Sequence, residues 1–156
     1  MKRLTLRKIT WEMYEAFVRL GVREDQQRYV RDSRYTLAEA FLNQAERICD
    51  TEILPIFAEE TMIGYVAIQY FRDGADAWYD LHRFMIDAGQ QGRGYGKTAF
   101  AMILDYIRTC PMGAADRIKI EYREENAPAS HIYHQQGFAD SDAYNRYGER
   151  AAWLKI

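Results

Sequence analysis

Four glycines fall within the eight residues Gly89-Gln90-Gln91-Gly92-Arg93-Gly94-Tyr95-Gly96. A strand-like run, Trp78 to Ile86, precedes them. A strongly amphipathic helical pattern follows, with Ala99, Phe100, Met102, Ile103, Tyr106 and Ile107 apolar, and stops before Pro111. Strand, glycine-rich turn and helix start together make an anion site. Successive N–H groups point outward, the helix dipole favours negative charge, and glycine lets the backbone approach phosphate oxygens.

The rest of the chain is consistent with a mixed α/β domain around that unit. Leu4 to Ile9 alternates as a strand, and Thr10 is placed to cap a helix carrying Trp11, Tyr14, Phe17, Val18 and Val22. Thr36-Leu37-Ala38-Glu39 reads as a capping box opening a second helix, with Ala40, Phe41, Leu42 and Ala45 as its apolar positions. The period then changes. Residues 53–58 and 63–71 read as strands of a meander joined by Glu59-Glu60-Thr61, with a turn at Gly74 before the third strand. Residues 117–122 alternate as a strand, Asn126 caps a helix running to Gly137, and a hairpin around Gly148 closes the chain. The expected order is β-α-α-β-β-β-α-β-α-β-β over one domain, residues 1–156.

Composition narrows the function. The 14% aromatic content excludes disorder, and no long uncharged apolar run exists to span a membrane. The basic start at residues 1–8 lacks an apolar stretch behind it and does not read as a signal peptide. A formal charge of −2 argues against a nucleic-acid partner. Cys49 and Cys110 form no spaced set, and His131 and His134 share a helix face without a third ligand, so no metal is expected. The expectation is a reduced, cytoplasmic, soluble protein, with a homodimer left open.

Three ligand readings compete at the glycines. The dinucleotide fingerprint needs G-x-G-x-x-G at the first βαβ unit, whereas the spacing here is G-x-G-x-G in mid-chain. Gly96-Lys97-Thr98 imitates the end of a P-loop, but the opening glycine would have to stand where Gln91 is. The third reading fits. Gln91-Gly92-Arg93-Gly94-Tyr95-Gly96 has the form [QR]-x-x-G-x-[GA] and resembles the acyl-CoA pyrophosphate loop of the GCN5-related N-acetyltransferases. Glycines kept for packing alone remain the plain alternative.

A second block supports the resemblance. Asn126, Ile132, Tyr133, Gly137 and Phe138 match the family's N-x-x-A-x-x-[LI]-Y-x-x-x-G-F, with Ala129 and Ser130 at the small position. Asn126 and Tyr133 are seven residues apart, two helical turns, and so share a face. The resemblance implies acetyl-CoA as cosubstrate. Its arm would lie along Phe84, Met85 and Ile86 and its phosphates against Gln91, Gly92, Arg93, Gly94, Tyr95, Gly96 and Lys97. Asn126 would hold the arm, and Tyr133 would contact it and protonate the departing thiolate. A core aromatic and a simple helix cap are the structural alternatives for Tyr133 and Asn126.

The segments Glu24 to Val30, Thr36 to Ala40, Ile63 to Ala67 and Leu81 to Asp87 are similar to the bacterial diamine, spermine and spermidine acetyltransferases. That resemblance implies a small-molecule amine, a polyamine or diamine, as acceptor. A polycation needs carboxylates and apolar or aromatic walls. The candidates are Glu24, Asp25, Glu59, Glu60 and Asp80, with Tyr29 and Tyr35 as walls. A primary amine with pKa near 10.4 is protonated at pH 7, which costs about 4.6 kcal/mol to reverse. A base or water must therefore take its proton. Glu121 matches a base position of some family members, with a salt-bridged surface residue as its alternative. Acetylation of protein N-termini or aminosugars, and a non-catalytic acyl-CoA-binding module, are the rival functions.

Overall fold

The computed structural model describes residues 3–156; Met1 and Lys2, the first two residues of the basic start, lie outside the described residues. Seven strands form one mixed sheet: β1 (Leu4–Leu6), β2 (Asp50–Ala58), β3 (Thr61–Asp73), β4 (Asp76–Ile86), β5 (Arg117–Tyr122), β6 (Ala139–Tyr144) and β7 (Arg150–Lys155). Their spatial order is β1-β2-β3-β4-β5-β7-β6. All neighbours are antiparallel except β4 and β5. The helices are α1 (Tyr14–Phe17), α2 (Ser33–Ala45), α3 (Tyr95–Arg108) and α4 (Ala127–Gln135). The expected element order is therefore observed. Among the described residues no helix is long and apolar enough to cross a membrane.

Both faces of the central strands are covered, which is why β3 reads as an unbroken apolar run. Val66 and Ile68 pack with Phe100, Ile103 and Leu104 of α3 and with Phe138. Tyr65 and Ala67, pointing the other way, pack with Phe17 and with Leu37 and Ala40 of α2. Gly64 lies where β3 crosses closest to β4, and a side chain there would run into the Met85 carbonyl.

Two N-terminal expectations are corrected. The helix expected from Thr10 is a 3-10 turn, Trp11–Met13, followed by the single turn of α1; Thr10 makes no side-chain cap. Only Phe17 of this stretch is buried, and Trp11 is 87% exposed, so little packing holds a longer helix. The capping box at Thr36 is not used either. Helix α2 begins four residues earlier, capped by Asp32, whose Oδ1 accepts from the Arg34 amide at 2.8 Å. Thr36 is buried and its hydroxyl lies 3.1 Å from that of Tyr65. Phe41 and Leu42, two of the apolar positions read on this helix, are exposed.

Candidate active site

Parallel pairing between β4 and β5 lasts only for Tyr79↔Ile118 and Asp80↔Lys119. Beyond it β4 runs on to Ile86 and β5 to Tyr122 without pairing to each other, leaving a gap in the sheet. The divergence has a local cause. Between Ala67 and Ile68 of β3, β4 carries one residue too many, and that residue is His82. A bulge bends its strand and re-aims a side chain.

A cavity of about 560 Å³ opens at the gap. It is lined by Leu81 to Ile86, Gly96, Glu121, Tyr122, Asn126 and Tyr133, and by Gln26 to Arg31, Tyr35 and Glu39 from the segment before and within α2. Phe84, Met85, Ile86, Gln91, Tyr29 and Asp80 also lie on it, as expected. The sequence-derived acid, base and arm-binding residues are thus brought to one cavity.

Its two sides differ in chemistry. On the α3 and α4 side the lining is aromatic. The Tyr133 ring packs on Phe100 at 5.2 Å, on Tyr122 at 5.4 Å and on Phe138 at 6.2 Å. Burial pushes its phenol up to about 12, with Tyr122 and Glu149 adding to the shift. Its hydroxyl has no protein hydrogen-bond partner among the described residues. Asn126 precedes α4 without capping it through its side chain, so its amide is not consumed by the helix end. This corrects the simple-cap reading.

The α2 side is charged. Alternation along β5 puts Lys119 and Glu121 opposite to the buried Ile118, Ile120 and Tyr122. Lys119 Nζ lies 2.8 Å from Asp80 and 3.3 Å from Glu121. Burial pushes the Asp80 carboxyl up, and the Lys119 ammonium opposes this. Burial acts to lower Lys119 in turn, but Asp80 and Glu121 outweigh it and the net shift is upward. Glu121 also accepts from Asn145 at 3.0 Å. Glu39 of α2 was not singled out in the sequence. It accepts from Arg83 at 3.1 Å and lies 3.1 Å from His82 Nε2. Burial pushes Glu39 up, yet His82, Arg83 and Arg31 together hold it below the usual range.

The glycine loop sits at the far end of β4. Gly92 and Gly94 have φ of 76° and 78°, the left-handed region that glycine adopts most readily. Gly94 is the N-cap of α3, and nothing crowds either α-carbon, so the loop backbone is open to an approaching anion. Gln91 braces it, donating to the Ile86 carbonyl at 2.9 Å and to Gln26 at 2.8 Å. Gly92, Arg93, Gly94, Tyr95 and Lys97 stand outside the cavity lining; Tyr95 points its ring into the core, leaving its backbone to the loop.

Several expected acceptor residues do not reach the cavity. Glu24 and Asp25 lie in a 3-10 turn whose side chains face solvent, Asp25 being 3.6 Å from Arg23. Glu59 and Glu60 occupy the exposed β2–β3 turn, where Glu60 pairs with Arg7 at 3.0 Å. Tyr35 does line the cavity, as does Tyr147, which the sequence did not single out. Among the described residues no group of three or more His, Cys, Asp or Glu could hold a metal ion.

Among the described residues the mixed sheet thus opens between its only parallel neighbours, with a glycine-rich loop and a helix N-terminus at one end of the gap. The profile of the Acetyltransferase (GNAT) family matches residues 5–138, and the chain belongs to that family. It is 25% identical over 113 residues to mycothiol acetyltransferase of Beutenbergia cavernae, covering 72% of this chain and 37% of the relative. It is 28% identical over 87 residues to the N-alpha-acetyltransferase RimI of Mycobacterium tuberculosis, covering 56% of this chain and 51% of that one. The chain thus spans about half or less of these relatives' length. The spermidine N-acetyltransferase of Vibrio cholerae, solved with CoA and spermine, superposes with a TM-score of 0.72 at 18% identity, over 97% of this chain and 95% of that one.

Proposed function

We propose that the protein transfers an acetyl group from acetyl-CoA directly to a primary amine. The observation that carries this is the division of the gap: a proton-holding phenol, Tyr133, on its aromatic side and proton-accepting groups on its charged side. Acetyl-CoA brings an activated thioester. Gly92, Gly94 and the first N–H groups of α3 fit its phosphates, and the strand edge from Phe84 to Ile86 with the Asn126 amide fits its amide-bearing arm. Backbone N–H groups after Ile86 are the proposed donors to the carbonyl oxygen. The charged face receives the ammonium and takes its proton, and Tyr133 supplies a proton to the departing sulfur.

A polyamine or diamine is the acceptor class the reading favours. Its support is the cleft itself, with Tyr29, Tyr35 and Tyr147 as walls and Glu39, Asp80, Glu121 and Glu149 as lining carboxylates. The spermidine-enzyme neighbour adds to it. The relative to RimI favours a peptide N-terminus as the second reading. The test is CoA release with spermidine, a diamine, a matched monoamine, a peptide and an aminosugar. Spermidine is expected to give the highest specificity constant. Release with the peptide alone would move the acceptor to protein N-termini. CoA binding without release from any amine would leave only an acyl-CoA-binding module.

A further inference from the structure

The charged side of the gap contains a base better placed than the glutamate that the sequence singles out. Both Glu121 oxygens are already engaged, Oε1 by Lys119 at 3.3 Å and Oε2 by Asn145 at 3.0 Å. Taking a proton there breaks into an ion pair that also holds the buried Asp80. His82 is differently placed. As the extra residue of the β4 bulge it turns to the same side as Arg83, and both reach the Glu39 carboxylate on α2. Arg83 closes the unit by donating to the His82 carbonyl at 3.0 Å. The imidazole is 24% exposed and lines the cavity.

The contact with Glu39 selects the tautomer. A carboxylate accepts only, so Nε2 carries the hydrogen and Nδ1 keeps its lone pair. Among the described residues Nδ1 has no protein partner. A base whose other nitrogen is tied to a carboxylate is the arrangement that general-base catalysis by histidine requires.

We infer that His82 is the general base for the acceptor amine and that Glu39 is its positioning residue. This rests on the acetyl-transfer reading above. The ammonium gives one proton to His82 Nδ1, and the nitrogen lone pair forms the C–N bond. As the C–S bond breaks, the sulfur takes the Tyr133 proton. The second proton shed by nitrogen restores the phenol, and the proton on His82 leaves to solvent. One proton is released per acetyl group moved.

The charged groups facing the imidazole are Glu39 from α2, Asp80 and Arg83 from β4, and Lys119 and Glu121 from β5, with Arg31 acting on Glu39. The test compares wild type, His82→Gln, Glu39→Gln and Glu121→Gln in the pH profile of kcat. The acceptor is spermidine or, should it fail, the best amine of the panel. His82→Gln should lower kcat about 10²-fold, abolish the acid limb, and leave the CoA affinity within threefold. Glu39→Gln should keep the limb but lower kcat about tenfold at unchanged KM, because nothing then fixes Nδ1 as the free nitrogen. Glu121→Gln should retain the limb. An unchanged limb in His82→Gln, or its loss in Glu121→Gln, overturns the assignment.

With only three histidines in the chain, the His82 tautomer can also be read by NMR from its ring nitrogen shifts. An unchanged tautomer in Glu39→Gln overturns the positioning role even where His82→Gln does not fold. Wild type that releases no CoA with any amine overturns the acetyl-transfer reading instead, so the two failures are distinct.

Discussion

Replacing Tyr133 by Phe keeps the ring that packs on Phe100, Tyr122 and Phe138 and removes one hydroxyl with no protein partner. Folding and CoA affinity should therefore survive. The size of the catalytic loss follows from the phenol's environment. Burial pushes it up to about 12, whereas an ordinary thiol lies near 8.5. Full transfer of its proton to the thiolate is therefore uphill, by roughly 5 kcal/mol. In the proposed mechanism the hydroxyl would therefore act as a hydrogen-bond donor that strengthens as sulfur gains charge, its proton following only as the nitrogen proton replaces it. That places the loss near the lower end for acid catalysis, about 10²-fold in kcat. It also means no alkaline limb from Tyr133 below about pH 11, since the phenol stays protonated there. Steady-state kinetics and stopped-flow single turnovers, with CoA binding by calorimetry, measure this. An unchanged single-turnover rate, with chemistry shown to limit it, would return Tyr133 to a core aromatic.

Gly94→Val places a β-branched residue at φ 78° and crowds the anion loop, and should weaken CoA binding at least tenfold, about 1.4 kcal/mol; calorimetry showing normal affinity in a folded variant refutes the loop assignment. Lys119→Met strands Asp80, which is 5% exposed, and should cost about 3–5 kcal/mol at pH 7. Because burial holds the Asp80 carboxyl above its ordinary value, protonation removes the stranded charge on acidification. The variant's deficit against wild type in urea melts should therefore shrink towards pH 4; an equal deficit at pH 7 and pH 4 would show that the buried charge is not its cause.

Local signals were legible where the chain's own period decides the structure. Strand 117–122 has the expected bounds, and Gly148, with φ 76°, turns the last hairpin as read. The glycine block and the Asn126–Tyr133 block were legible because backbone conformation and helical spacing are written locally. What was missed depends on tertiary contacts. Thr36-x-x-Glu39 has the form of a capping box, but Thr36 is drawn to Tyr65 and Glu39 to His82 and Arg83, while Asp32 caps the helix. Nothing near Glu39 marks it above Glu24 or Asp25; the packing of α2 across β4 does so. His82 escaped notice because a bulge is a difference of register between two strands, invisible in either one alone.

The same bulge accounts for the site's two-sided chemistry. Were β4 regular opposite Ala67 and Ile68 of β3, His82 and Arg83 would point to opposite faces, and only one could meet Glu39. The extra residue sends both to the acceptor side, while Phe84 still joins the aromatic face below α3. It also coincides with the end of β4–β5 pairing, so one local irregularity opens the gap and stocks its charged edge. The carboxylates of that edge already have partners. Glu39 is matched by Arg83, Asp80 by Lys119, Glu121 by Lys119 and Asn145, and Glu149 by Asn145. Arg28 and Arg31, held over the rings of Tyr29 and Tyr35, add positive charge to the lining. On the proposed reading, a polyamine's distal ammonium would compete for carboxylates that already have partners. Selection among amines would then rest on which acceptor can displace those partners, and on how well the tyrosine walls fit its methylenes.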